Sequence, residues 1–396
     1  MATPGTLWMH PAPLPSWMRP AKREDIDMAL SQRLSKLTQE LMLIPGLSGY
    51  ETRVRKRLAA EMLEAGFKAT TDMMGNLIAT LPGAAKAPSV MLFAHMDQLG
   101  FVIRKIEANG LMRLERLGGV PERALASQEM LICVGEGKDI PAIITNKSHH
   151  ATTPEEKYRA LPYAEILLDA GFSSSETVRK AGVDIGSPVV YAPRAFEMAG
   201  NRICGTSVDD RAACAIMVEV AKLLKDAKSV PTVHFVFSVQ EEFNLRGALP
   251  AAQALLPDIA IQLDLILATD TPEIAQRGDV KLGDGPAMSM FSFHGRGTLN
   301  GTIPHPALVK LFDETAKRKK INLQRSAHIG ALTDSSYVQL VGKGVASIDM
   351  GFPCRYTHSS LEMCDVADLE KLTLLLVEAL TAIGPAFSLN RDEFPQ

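Results

Sequence analysis

Apolar residues recur at helical spacing from Arg23 to Ile44, with Met28, Leu34, Leu37, Leu41 and Ile44 on or near one face. This predicts a first helix, stopped by Pro45 and Gly46. Ser48 to Glu51 reads as the entry to a second helix running through RVRKRLAAEMLEAGF. Residues 77–80 (LIAT) and 89–94 (SVMLFA) predict strands, the second almost continuously apolar, as a strand buried on both faces would be. The pattern returns later as a helix near Arg211 (RAACAIMVEVAKLLKDA), a strand at Thr232 to Val239, a small-residue helix near Ala248 and a strand at Ile259 to Leu267. Alternating strands and helices predict an α/β fold.

The stretch from 106 to about 195 reads differently. Short β-like runs (MLICV, PAIIT, PVVYA) are broken by Gly, Pro and polar turns, and one helix-like segment is clear. We read residues 99–193 as a smaller β-rich domain inserted into a larger α/β domain made of residues 1–98 and 194–396. Within the insert, Thr153-Pro154-Glu155-Glu156 has the form of a capping box with Pro at the first helical position, and it makes His149 and His150 loop residues rather than ligands. The chain closes with an amphipathic helix from Val366 to about Ile383.

A length of 396 residues suits two domains. The formal net charge of −3 supplies no basic field for nucleic acid or anionic lipid, so small molecules or peptides are the expected substrates. The Pro- and Met-rich start has no signal-peptide pattern and no stretch reaches transmembrane length, which predicts a cytoplasmic protein with residues 1 to about 20 as an extended arm. The cysteines, Cys133, Cys204, Cys214, Cys354 and Cys364, are odd in number and widely spaced, so they read as reduced thiols rather than disulfides or a thiolate metal site.

Five segments carry candidate chemistry. In SVMLFAHMDQLGF, strand period two turns His95 and Asp97 to one side, although such a pair also serves as a solvated or capping element. Asp209 and Asp210 open the Arg211 helix; either an N-cap or a nearby cation explains two adjacent carboxylates there. Glu241 and Glu242 follow an apolar strand and point apart, so that one can ligate while the other acts as a general base. Asp264 lies in the otherwise apolar run IAIQLDLILATD, where an unpaired charge is costly, while Asp270 at its end suits a turn or cap. His358 sits in the loop-like GFPCRYTHSSLEM. Two histidines and three carboxylates with no thiolate fit Zn²⁺, Co²⁺ or Mn²⁺. Three carboxylates and one hydroxide balance two divalent ions.

In order along the chain, PGLSGYE, TDMMGNLIATLPG, AHMDQLGF, SVDDRAACA, SVQEEFNLRGA, the Asp264 segment through ATDTPEI, LTDSSYVQL and RYTHSSLEM resemble the tetrahedral, or deblocking, dinuclear metallo-aminopeptidases that include bacterial glutamyl aminopeptidases. The likeness runs from about Leu37 onward. It departs at Gln98, where the family usually carries an acidic residue, and in HIGALTDSS, where a Gly-rich approach is usual. The resemblance implies a central mixed sheet flanked by helices and a cis peptide after Asp209. It implies that Asp209 bridges two ions, with His95 and Asp264 completing one site and Glu242 and His358 the other. Asp97 would orient His95, and Glu241 would be the general base in hydrolysis of an N-terminal peptide bond. It further implies subunit pairing through the insert and assembly of dimers into a hollow dodecamer. A metal-dependent deacylase or carboxypeptidase-like hydrolase on the same scaffold is the rival reading; an inactive scaffold protein is a more distant one.

Overall fold

Helices α1 (Leu30–Met42) and α2 (Thr52–Glu64) lead into strands β1 (Thr70–Thr71), β2 (Leu77–Leu81) and β3 (Val90–His95). Then come β4 (Gly100–Ile106), β5 (Met112–Leu117), β6 (Glu129–Ile132), β7 (Ile140–Ile144), β8 (Leu167–Asp169), α3 (Ser175–Lys180) and β9 (Pro188–Tyr191). The chain continues through β10 (Ala195–Met198), β11 (Arg202–Gly205), α4 (Val208–Leu224), β12 (Val233–Ser238), α5 (Ala248–Leu255), β13 (Ile259–Leu267) and β14 (Ala287–Phe293). It ends with β15 (Gly301–Thr302), α6 (Pro306–Lys319), β16 (Gln324–Ile329), α7 (Ser335–Val338), β17 (Ala346–Arg355), β18 (Glu362–Asp365) and α8 (Val366–Ala382). This computed structural model describes residues 28–227, 229–294 and 301–394; the arm expected at residues 1–20 lies outside them.

A mixed sheet in the order β1-β2-β12-β3-β13-β17-β18-β11-β10, with β14, β15 and β16 branching from β17, organises the parts of the chain before β4 and after β9. Its centre, β12-β3-β13-β17, is parallel, and antiparallel strands flank it on both sides. Strand period two explains the layers. Val90, Leu92 and Ala94 of β3 enter the large core with α1, α2, α4, α6 and α8, while Met91 and Phe93 pack with Ala248, Ala251 and Val338 beneath α5 and α7. With helices on both faces β3 is buried throughout, which is why it reads as one apolar run.

The β-rich middle of the chain is a closed barrel, β4-β5-β8-β7-β6-β9, around Phe101, Ile103, Met112, Leu114, Leu168 and Val189. The barrel leaves the sheet just after β3 and rejoins it at β10. The capping box at Thr153 forms both reciprocal bonds, Glu156 N to Thr153 Oγ1 at 3.4 Å and Thr153 N to Glu156 Oε2 at 2.9 Å. Only a 3₁₀ turn, Glu156–Tyr158, follows it, because no apolar stripe is available there to bury a longer helix. His149 and His150 are exposed in another short turn. Among the described residues no helix is long and apolar enough to cross a membrane.

Asp270, expected as a turn or cap, forms a two-pronged ion pair instead, at 2.7 Å from both Nε and a terminal nitrogen of Arg355, and also accepts the Leu282 amide at 3.1 Å. Burial works to raise its pKa, but the Arg355 and Leu282 hydrogen bonds prevail and hold the carboxyl below the usual carboxylate range. A depressed folded-state pKa contributes stability that is full above the unfolded value of about 3.9 and is lost as pH falls through the folded one. Asp270→Asn is therefore expected to cost about 1.5–3 kcal/mol near neutral pH. Denaturant titrations of both proteins should show this gap narrowing as the solution is acidified below about pH 4.

Candidate metal centre

The site residues gather around the C-terminal ends of the central strands, the usual location of sites on open α/β sheets. His95 ends β3, Glu241 and Glu242 follow β12, Asp264 lies in β13, Asp209 begins α4, and His358 sits between β17 and β18. All of them line a cavity of about 570 Å³. The peptide bond between Asp209 and Asp210 is cis, as the resemblance implies.

The Asp209 carboxylate reaches in two directions. Its Oδ1 lies 2.9 Å from His95 Nε2, and its Oδ2 accepts the Thr357 hydroxyl at 3.2 Å and stands 3.6 Å from His358 Nε2. Glu242 Oε2 is 3.8 Å from the same His358 nitrogen. The His358 ring is oriented from outside the sheet, because its Nδ1 donates to the Gly119 carbonyl at 2.9 Å and so turns Nε2 toward the carboxylates. His358 itself has a positive φ of 64°, a strained backbone for a non-glycine residue, held by the Glu362 carboxylate, which accepts its amide at 2.7 Å. Asp264 Oδ1 accepts the Leu265 amide at 2.7 Å, and Oδ2 accepts Gln262 Nε2 at 3.2 Å.

Asp97 is fully buried and 3.5 Å from His95 Nδ1. It also accepts the Ser48 hydroxyl and the backbone amides of Glu241 and Glu242, at 3.0 and 3.2 Å for the two amides. One carboxylate therefore ties the β3 histidine to the loop that carries both glutamates. Glu362 does comparable work opposite, accepting the Asp209 amide at 2.9 Å as well as that of His358. Neither Glu362 nor Ser48 was singled out by the sequence pattern. Both stand inside quoted motifs, RYTHSSLEM and PGLSGYE, and that was the available signal.

The residues suit divalent ions. His95, Asp210 and Asp264 offer ligand atoms within 4.8 Å of one another, and so do Asp209, Glu242 and His358. Both Asp210 oxygens, Glu242 Oε1 and His95 Nδ1 are buried without a hydrogen-bond partner. Burial, with neighbouring carboxylates, pushes Glu241, Asp264 and Asp210 well above their usual range and Glu242 up to about 7. Burial opposes the charging of His95 and His358, yet the surrounding carboxylates raise both, His358 to about 9. So much converging negative charge, rich in oxygen and nitrogen donors and lacking thiolate, is a setting for hard or borderline cations. Asp210 falls in the first group where Asp209 was expected, although Asp209 is the carboxylate in contact with His95.

The sequence profile of the M42 glutamyl aminopeptidase family matches residues 75–375. The chain belongs to that family. A putative aminopeptidase of Escherichia coli K12, SgcX, is 32% identical over 86% of this chain and 91% of its own. Aminopeptidase APDkam598 from the archaeon Desulfurococcus kamchatkensis superposes with a TM-score of 0.84 at 29% identity, covering 93% of this chain and 99% of that one. The Pyrococcus horikoshii TET1 peptidase, which assembles into a tetrahedron or a large octahedral shell, has a TM-score of 0.77 at 27% identity over 89% of this chain and 99% of its own. This M42 protein is a metal-dependent aminopeptidase, a hydrolase of peptide bonds built on the family's α/β fold.

Proposed function

We propose that this M42 aminopeptidase holds two divalent ions, one by His95, Asp209 and Asp264 and the other by Asp209, Glu242 and His358. The observation that carries the reading is the Asp209 carboxylate, with one oxygen 2.9 Å from His95 and the other 3.6 Å from His358. When bound, such a pair supplies Lewis-acid polarisation of a carbonyl and a water acidified toward neutral pH. Zn²⁺ suits the imidazole and carboxylate donors, with Co²⁺ or Mn²⁺ as alternatives.

Glu241 is the general base in this reading. Its backbone amide is fixed by Asp97, its side chain stands 3.9 Å from His95, and it belongs to neither ligand set. It takes the proton of the attacking water onto its carboxylate and delivers it to the nitrogen of the leaving amine. Asp97 keeps His95 and the Glu241–Glu242 loop in register, and Glu362 does the same for Asp209 and His358.

The cavity suggests the substrate. Leu265, Leu267, Ala331 and Leu332 give it an apolar wall, with Arg116 and His294 among its polar lining. We infer a preference for peptides whose first side chain is uncharged and aliphatic. Hydrolysis of unblocked leucyl, glutamyl and lysyl anilides is expected to favour the leucyl compound by about 10-fold or more, the contribution of one or two buried methylenes. Chelation should abolish hydrolysis and Zn²⁺, Co²⁺ or Mn²⁺ should restore it. Faster release from N-blocked peptides would instead point to a deacylase. For assembly, a dimer on each of the six edges of a tetrahedron gives a dodecamer, the arrangement proposed here from the tetrahedral relative, with the barrel as the pairing domain. The reduced cysteines suggest a cytoplasmic setting. Light scattering that returns a monomer would refute the assembly.

A further inference from the structure

Three of the four central strands, β12, β13 and β17, each direct one polar side chain to the α7 face of the sheet, beneath the LTDSS segment. Ser238 of β12 donates to Asp334 Oδ2 at 3.1 Å, Gln262 of β13 accepts the Ser335 amide at 2.6 Å, and Asp349 of β17 accepts the Thr333 hydroxyl at 2.9 Å. Gln262 and Asp349 are direct partners in the parallel pairing of β13 with β17. The segment held in this way is the end of the cavity wall, since Gly330, Ala331, Leu332 and Thr333 line the cavity. Of the three anchors, Gln262 alone has a hydrogen bond to a candidate ligand, from its Nε2 to Asp264 Oδ2 at 3.2 Å.

We propose that Gln262 is a positioning residue that sets the Asp264 carboxylate and the substrate-cavity wall from one point on the sheet. The side chain is fully buried, and its two ends cannot exchange places: the oxygen must face the Ser335 N–H and the amide nitrogen must face a carboxylate. With Leu265 donating to Oδ1, both oxygens of Asp264 have fixed donors, which sets the plane in which the carboxylate presents its remaining lone pairs. An apolar residue of similar length would leave the wall and the carboxylate to settle independently. The inference rests on the reading that Asp264 holds metal.

Gln262→Met and Gln262→Ala in the full chain test it, by Zn²⁺ affinity in competition with a chromophoric chelator, and by KM and kcat at saturating Zn²⁺ with thermal stability measured alongside. Zn²⁺ affinity is expected to fall about 10-fold or more, the usual effect of losing a partner behind a ligand, and KM to rise several-fold. Ala serves if the Met variant does not fold. Gln262→Glu keeps an acceptor for the Ser335 amide but sets a second carboxylate against Asp264 Oδ2, so Zn²⁺ affinity should fall as in the Met variant while KM at saturating Zn²⁺ rises less than it does there. A rise equal to that of the Met variant would overturn the link to the wall. Reduced thermal stability with unchanged Zn²⁺ affinity and KM would make Gln262 merely structural and overturn the proposal. Asp264→Ala separates the two levels. If it leaves Zn²⁺ binding intact, the assignment of Asp264 as a ligand fails and the inference with it; if it loses Zn²⁺ while the Gln262 variants keep it, the inference alone fails.

Discussion

Glu241→Gln is expected to lower turnover of an unblocked aminoacyl anilide by about 10²- to 10⁴-fold while leaving the metal content unchanged. The amide has the shape of the carboxylate, so the buried packing around it is kept. Its backbone hydrogen bond to Asp97 is also untouched. What is lost is the ability to accept a proton. Burial and the neighbouring carboxylates Asp264, Glu242 and Asp334 raise the proton affinity of Glu241. Metal analysis of the purified variant beside its kcat decides the matter: unchanged turnover would remove Glu241 from the role, and lost metal would make it a ligand.

Asp209→Ala is expected to have the second largest effect, a loss of both ions together. Removing a residue that stands behind a ligand weakens metal binding by about 10- to 100-fold. A carboxylate shared by both ions should cost more than that at each of them, and activity should be undetectable at metal concentrations that saturate the parent. Titration of the metal-free variant with Zn²⁺ distinguishes the possibilities. Two sites of nearly parental affinity would contradict the shared role, and loss of one site with retention of the other would assign Asp209 to a single ion. The second outcome would bring Asp210 forward, since its buried carboxylate groups with His95 and Asp264 and lacks a hydrogen-bond partner.

The sequence by itself determined the central elements and most of the candidate site, because those signals are local. The apolar run through Val90–His95 is of strand rather than helix length and suits a strand covered on both faces, and β12 and β13 read in the same way. His95, Glu241 and Glu242 were legible because each stands at the end of such a strand, and Asp264 because a carboxylate inside one calls for compensation. Tertiary structure decided everything that depends on residues far apart in the chain. The closure of β4 and β6 on β9 makes the middle segment a barrel, and no run of residues encodes that pairing locally. Gly119 enters the site because the segment after β5 passes beside His358, giving that ring its orientation from 239 residues away. Glu362 and Gln262 look like an ordinary acid and an ordinary amide in the sequence. Their partners, the amides of Asp209 and Ser335, arrive only when the sheet has formed. At Thr153 the local signal made its capping bonds but no helix beyond one turn, since a cap can start a helix while only a buried face sustains it.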